Sequence, residues 1–182
     1  MPGLPSPHMI VVCSDTHGRD GHRLADQVAE DVADAELVIH AGDFVTEAAL
    51  AAFEDAAEEL VAVHGNVDED AVRDRLPTER TLTIDDVRIA IVHTVDGGAA
   101  GLATFGRAHD ADLVVFGHSH RPGYEWTGEL GLLNPGSHAE PRQFRPGYAT
   151  LEIDGGVVSG ALREPDGGTV ERFEVGERTD DG

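Results

Sequence analysis

The sequence predicts an α/β fold with a β-rich C-terminal third, on three observations. Up to residue 120, short apolar runs rich in Val and Ile alternate with Ala- and Glu-rich stretches of helical period. Beyond it, apolar and polar residues alternate between Gly-rich turns, the pattern of successive strands. A chain of 182 residues with 40% hydrophobic content suits one domain with a sizeable core.

The elements follow in order. "MIVVCS" at 9–14 reads as a strand, and 22–34 as a helix with Leu24, Val28 and Val32 on one face. "ELVIHA" at 36–41 is a second strand, and 46–57 a second helix with Thr46 as its cap. "ELVAVH" at 59–64 is a third strand, followed by a short helix around 69–75 that stops before Pro77. "RTLTI" and "VRIAIV" form a hairpin across Asp85 and Asp86, 98–109 is helical, and "DLVVF" at 112–116 is a further strand. The final third contributes "GYATLEID", "GGVVSGALRE" and "GTVERFEV". The expected domain spans 9–176, with 1–8 and 177–182 as flexible termini and either Met1 or Met9 as the start. The Pro-rich opening "MPGLPSPHM" lacks a basic segment followed by an apolar one, so no secretory signal is expected.

Composition narrows the function classes. The formal charge is −22, and all thirteen basic residues are Arg. Such a surface repels itself in dilute buffer and is screened at molar salt, where the Debye length is about 3 Å. A salt-rich cytoplasm, the halophilic setting, is the environment this suggests. The charge argues against duplex nucleic acid as a partner, and no apolar run is long enough for a membrane span. A homo-oligomer stays open. The one cysteine, Cys13, excludes an internal disulfide, fits a reducing cytoplasm and reads as a buried inert thiol.

The residues that follow the apolar strands carry the chemistry. Asp15-Thr16-His17 follows the first strand, Gly42-Asp43 the second and Gly65-Asn66 the third. His93 follows "RIAIV", and Gly117-His118-Ser119-His120 follows "DLVVF". Sites in α/β sheets form outside the carboxyl ends of the strands, so these five ends should converge. Two carboxylates, four imidazoles and an amide oxygen suit first-row divalent ions, and the lack of thiolate argues against a structural zinc site. Seven ligands exceed the needs of one such ion and suit two ions sharing a carboxylate. Two divalent ions would leave this spot positive in an acidic protein, acidify a shared water and polarise phosphoryl oxygens.

The ordered set "SDTHG", "AGD", "HGN", His93 and "GHSH" resembles the calcineurin-like metallophosphoesterases. "LLNPGSHAEPR" is similar to a segment of their small prokaryotic and archaeal phosphodiesterase branch. The resemblance spans about residues 9–175. It implies a four-layer αββα sandwich, two mixed β-sheets flanked by helices. It implies Asp15, His17, Asp43 and His120 on one metal and Asp43, Asn66, His93 and His118 on the other, with Asp43 shared. Asp43, Asn66 and His118 are the residues expected to act in catalysis. Manganese is the first expectation for the ions, with Fe, Co, Ni or Zn as substitutes. Two departures stand out. Val67 occupies the position where many members carry a histidine that protonates the leaving group, and "HTVDGG" replaces the usual His-Gly at the fourth motif.

Other polar residues have plainer readings. His40 and His64 read as strand residues, with donation to the motif loops as the alternative. Arg142 and His138 are candidate substrate contacts, against an ion pair and an incidental position at the cleft mouth. His8, His22 and His109 read as solvated, Asp68 and Asp96 as turn or capping residues, and Tyr124 and Trp126 as local packing rather than a wall for a substrate ring.

The expected function is hydrolysis of a small phosphodiester by metal-activated hydroxide. Two alternatives remain: a metal-binding scaffold with little or no activity, like the retromer subunit that resembles this family, and a phosphomonoesterase or nucleotidase. The charge yields the first prediction. Thermal melts should rise from dilute buffer to molar KCl, and a flat or falling series would contradict the halophilic reading.

Overall fold

The computed structural model describes residues 7–176. The first part runs β1 (His8–Cys13), α1 (Asp26–Asp34), β2 (Leu37–His40), α2 (Glu47–Ala56), β3 (Leu60–Ala62) and α3 (Asp70–Arg75). Then come β4 (Glu79–Ile84), β5 (Val87–Val92), α4 (Gly98–Ala108) and β6 (Leu113–Val115). The last part is built of strands: β7 (Gly123–Trp126), β8 (Gly131–Asn134), β9 (Tyr148–Asp154), β10 (Val157–Arg163) and β11 (Thr169–Glu174). Two mixed sheets result, ordered β11-β10-β9-β1-β2-β3 and β4-β5-β6-β8-β7.

The period of two along each strand decides the layers. In β1, Ile10 and Val12 face the second sheet, where they join Ile39, Ile89, Ile91, Leu113, Val115 and Leu133 in one buried cluster. The intervening Val11 and Cys13 point the other way, onto Val28 and Val32 of α1 and Leu50 and Phe53 of α2. Likewise Val114 and Leu132 leave the inter-sheet layer and meet Leu102 of α4. Helices α1 to α3 therefore cover one sheet and α4 the other. Each fully buried Val, Leu, Ile or Phe contributes about 1.5–3 kcal/mol, so this apolar sandwich holds the strand ends in place.

Local chemistry explains most element limits. Thr46 caps α2, its Oγ1 accepting the Ala49 N–H at 3.1 Å. Asp85 and Asp86 take φ of 46° and 65°, the left-handed pair that a two-residue hairpin turn requires. Helix α1 starts at Asp26, later than the expected residue 22, because Arg23 has φ of 57° and Ala25 is extended at φ −149°, neither of which continues a right-handed helix. Arg23 instead reaches the Ala139 carbonyl at 3.0 Å and Glu140 at 2.9 Å. The short strands β7 and β8, not among the strands assigned from the sequence, extend the second sheet. His8 is not part of a free terminus: it opens β1, opposite Ile153 of β9. The remaining stretches expected to be flexible, 1–6 and 177–182, lie outside the described residues. No helix among the described residues is long and apolar enough to cross a membrane.

Topology sets the site. Strands β1, β2 and β3 run parallel to one another, as do β5, β6 and β8. Of these, β1, β2, β3, β5 and β6 lead into the five loops that carry the ligand-type residues.

Candidate metal centre

The loops do converge. Asp15 is fully buried after β1, and its Oδ1 stands 3.5 Å from His120 Nε2 and 3.9 Å from His93 Nε2. Asp43, after β2, places Oδ2 3.2 Å from His93 Nε2 and 3.5 Å from His17 Nε2. Asn66 Oδ1 lies 2.9 Å from His93 Nε2 and 3.0 Å from His118 Nδ1. All seven expected residues thus form one chain of contacts. Asp15, Asp43, His93 and His120 make a buried floor, while Asn66 and His118 are exposed at the mouth.

Backbone conformation aims these side chains. Asp15, His17, Asp43, His118 and His120 all have positive φ, between 46° and 74°. Asp and His tolerate the left-handed region better than most residues, yet each still costs about 1–2 kcal/mol. Gly65 allows the loops to approach: a Cβ there would collide with the Asp43 carboxylate. Gly42, at φ 101°, packs so closely that a Cβ would sit 2.8 Å from His93 Nδ1.

Neighbouring main-chain groups orient the ligand atoms. His93 Nδ1–H donates to the Ala41 carbonyl at 2.7 Å, and His120 Nδ1–H donates to that of Glu140, so each ring turns Nε2 into the cluster. Asp15 Oδ2 accepts the Ser14 hydroxyl at 2.7 Å and the His118 N–H at 2.9 Å. Its Oδ1 accepts nothing. Three buried atoms, Asp15 Oδ1, His17 Nε2 and His120 Nε2, have no hydrogen-bond partner among the described residues. Stranded buried polar atoms are costly, and here they face one another. Asp15, His17 and His120 form one group able to hold a cation, and Asp15, Asp43 and His93 a second. The residues present therefore fit divalent ions.

Electrostatics agree. Burial pushes the Asp15 carboxyl upward, against the pull of His93 and Ser14. Burial acts the same way on Asp43, but the His17 and His93 imidazoles close to Oδ2 and the Val67 N–H on Oδ1 overturn it and hold that carboxyl far below the usual range. Burial disfavours a charged His93, yet Asp43 and Asp15 outweigh it and raise its pKa. A cation beside the unpartnered Asp15 Oδ1 would offset the burial that disfavours its charged form.

The other candidates divide. His40 is fully buried, stacked on Phe44 with centroids 3.7 Å apart. It also ties two motif loops, accepting the Gly42 N–H at Nδ1 and meeting Thr16 Oγ1 at Nε2, both at 3.1 Å. His64 meets Thr78 and stays outside the cluster. Arg142 is exposed, with no side-chain partner among the described residues, so the expected alternative of an ion pair is not seen. His138 is buried with both ring nitrogens unpartnered, and burial pushes its pKa down to about 4. Tyr124 stacks on Phe173 at 4.0 Å, as local packing requires. Sequence reasoning missed Ser137, whose hydroxyl donates to the Asp15 carbonyl at 2.8 Å, and Asn134, which donates to Ser119 Oγ at 3.1 Å. Their place in "LLNPGSHAEPR" was the available signal.

Comparison with known proteins gives a consistent picture. Residues 9–156 match the calcineurin-like phosphoesterase superfamily domain. The chain is 32% identical over 151 residues to a probable metallophosphoesterase of Methanothermobacter thermautotrophicus, covering 81% of this chain and 87% of the relative. It is 28% identical over 143 residues to a phosphodiesterase of Methanocaldococcus jannaschii, covering 70% and 82%. In fold it is similar to Vps29 of Entamoeba histolytica crystallised with zinc, at TM-score 0.77 and 22% identity, covering 92% of this chain and 99% of that one.

Metal should stabilise the fold by relieving the stranded atoms, by about 2.7 kcal/mol at a concentration 100 times Kd. Melting with Mn2+ and with EDTA checks this. Gly65→Ala should lose most of the Mn2+-dependent rise because the new Cβ displaces Asp43. Gly123→Ala, where a Cβ meets nothing within 4 Å, should keep it.

Proposed function

The chain belongs to the calcineurin-like phosphoesterase superfamily, and we propose that it hydrolyses small phosphodiesters with two divalent ions. The observation that carries this reading is the chain of contacts joining seven ligand-type side chains, with three of their buried atoms left unpartnered. Asp15, His17, Asp43 and His120 would hold one ion, and Asp43, Asn66, His93 and His118 the other. When bound, such ions acidify water and polarise phosphoryl oxygens. The oxygen and nitrogen donor set suits first-row divalent ions, manganese being the ion we take first and Fe, Co, Ni or Zn able to substitute.

The remaining work falls to the chain's own residues. Asn66 and His118 stand at the open mouth, where a phosphate ester would enter. Arg142 is free to pair with a phosphoryl oxygen. Val67 is 41% exposed beside Asn66 and has no proton to give the departing oxygen. His138 is a poor replacement, since with a pKa near 4 its imidazole carries no spare proton at neutral pH. The surface charge and buried thiol suit a salt-rich cytoplasm.

A second reading is a metal-binding scaffold without hydrolysis. Val67 and the likeness to Vps29 favour it. A screen of phosphodiesters and monoesters with Mn2+ in molar KCl separates the two, since a scaffold turns over neither.

The position of Val67 makes a sharper prediction. Diesters with acidic leaving groups, such as aryl esters, should be hydrolysed far faster than alkyl ones. A general acid is worth about 10²–10⁴-fold, and that help is missing. Plots of log rate against leaving-group pKa should be steep for the unmodified chain and flatter for Val67→His. A shallow slope in the unmodified chain would show that another group already supplies the proton.

A further inference from the structure

We propose that Asp68 is a positioning residue for the metal centre, its buried carboxylate fixing the separation of the loops that carry Asp43 and Asn66. The inference rests on the two-ion reading above and extends it to a residue that touches no ion.

Asp68 is 4% exposed. Its Oδ2 accepts the N–H of Asp43 at 3.0 Å and that of Gly65 at 2.7 Å. Its Oδ1 accepts the N–H of Val45 at 2.6 Å. No cation among the described residues reaches the carboxylate: Arg73 donates instead to the main-chain oxygens of Asp68 at 2.8 Å and Asn66 at 2.7 Å. The charge is thus held by three main-chain N–H groups from two separate loops. Hydrogen bonds to an ionised acceptor are roughly twice as strong as neutral ones.

The expectation that Asp68 caps a helix does not hold. The N-cap of α3 is Glu69, and no side chain caps that helix. A turn role alone does not account for bonds reaching 23 and 25 residues back along the chain to Val45 and Asp43.

Strain points the same way. Val45 has φ of 85°, a costly conformation for a β-branched residue. Such geometry persists only where the surroundings over-determine it. Here Asp68 Oδ1 holds the Val45 N–H, and the Glu69 N–H donates to the Val45 carbonyl at 2.9 Å. Asp43 lies two residues before Val45, with φ of 66°. Release of Asp68 would let both relax, and the shared carboxylate would move away from His93 and Asn66. The loops of Asp15, His17 and His120 make no bond to Asp68 itself, but Asp15 N–H donates to the Gly42 carbonyl at 2.9 Å and His17 N–H to that of Asp43 at 3.0 Å, so part of the release reaches the first ion's ligands too.

Asp68→Asn tests this with little change of shape. An amide has one oxygen, so at least one of the three N–H groups would face an NH2. Mn2+ titration followed by calorimetry reads the two binding steps, and electron paramagnetic resonance reads whether two ions are coupled. The unmodified chain should take up two ions and show a coupled spectrum. In Asp68→Asn both ions should bind more weakly, because they share Asp43, but the ion of Asn66, His93 and His118 should lose more, about 10–100-fold, because the Gly65–Asn66 segment is released as well. The spectrum should then revert to that of isolated Mn2+. If that chain fails to fold, Asp68→Ser, which keeps one acceptor, should show the same asymmetry. Unchanged binding, or equal weakening of both steps in proportion to a lower melting temperature of the metal-free chain, would overturn the proposal. A single ion in the unmodified chain would overturn the two-ion reading along with it.

Discussion

The apolar layer between the two sheets is the constraint on which everything else depends. Ile10, Val12 and Ile39 from one sheet interlock with Ile89, Ile91, Leu113 and Val115 from the other. A shift of one residue in any of these strands would exchange its two faces, misfit the packed layers and carry its terminal loop out of place. The packing therefore fixes five strand ends against one another. That is how residues as distant in sequence as Asp15 and His120 come to stand 3.5 Å apart.

On this rigid base the site stores cost. Five ligand-type residues adopt left-handed backbone, and three buried ligand atoms lack partners. Neither feature serves folding, and both become reasonable if cations occupy the cluster. The surrounding hydrogen bonds keep it open for them. Ala41 and Glu140 carbonyls orient two imidazoles, Ser14 and Ser137 anchor Asp15, and Asp68 joins the loops of Asp43 and Asn66.

Much of this was legible in the sequence, for physical reasons. The strands of the first sheet announce themselves by unbroken apolar runs, because both faces of "MIVVCS" and "ELVIHA" are covered. Ligand-type residues directly after such runs mark a strand-end site. The short strands β7 and β8 escaped because "GYEW" and "GLLN" are four residues each, and their pairing depends on partners elsewhere in the chain. The late start of α1 escaped for a related reason: Arg23 is drawn out of the helix by Glu140, 117 residues away. Asp68 looked like a turn residue because its partners are main-chain groups, which no side-chain pattern reveals.

The central claim is that two ions share Asp43. Crystals of the chain grown with Mn2+, measured at the manganese absorption edge, test it most directly. The account predicts two anomalous peaks flanking the Asp43 carboxylate, one against Asp15, His17 and His120 and the other against Asn66, His93 and His118. A single peak at full Mn2+ saturation, or peaks away from Asp43, would contradict it.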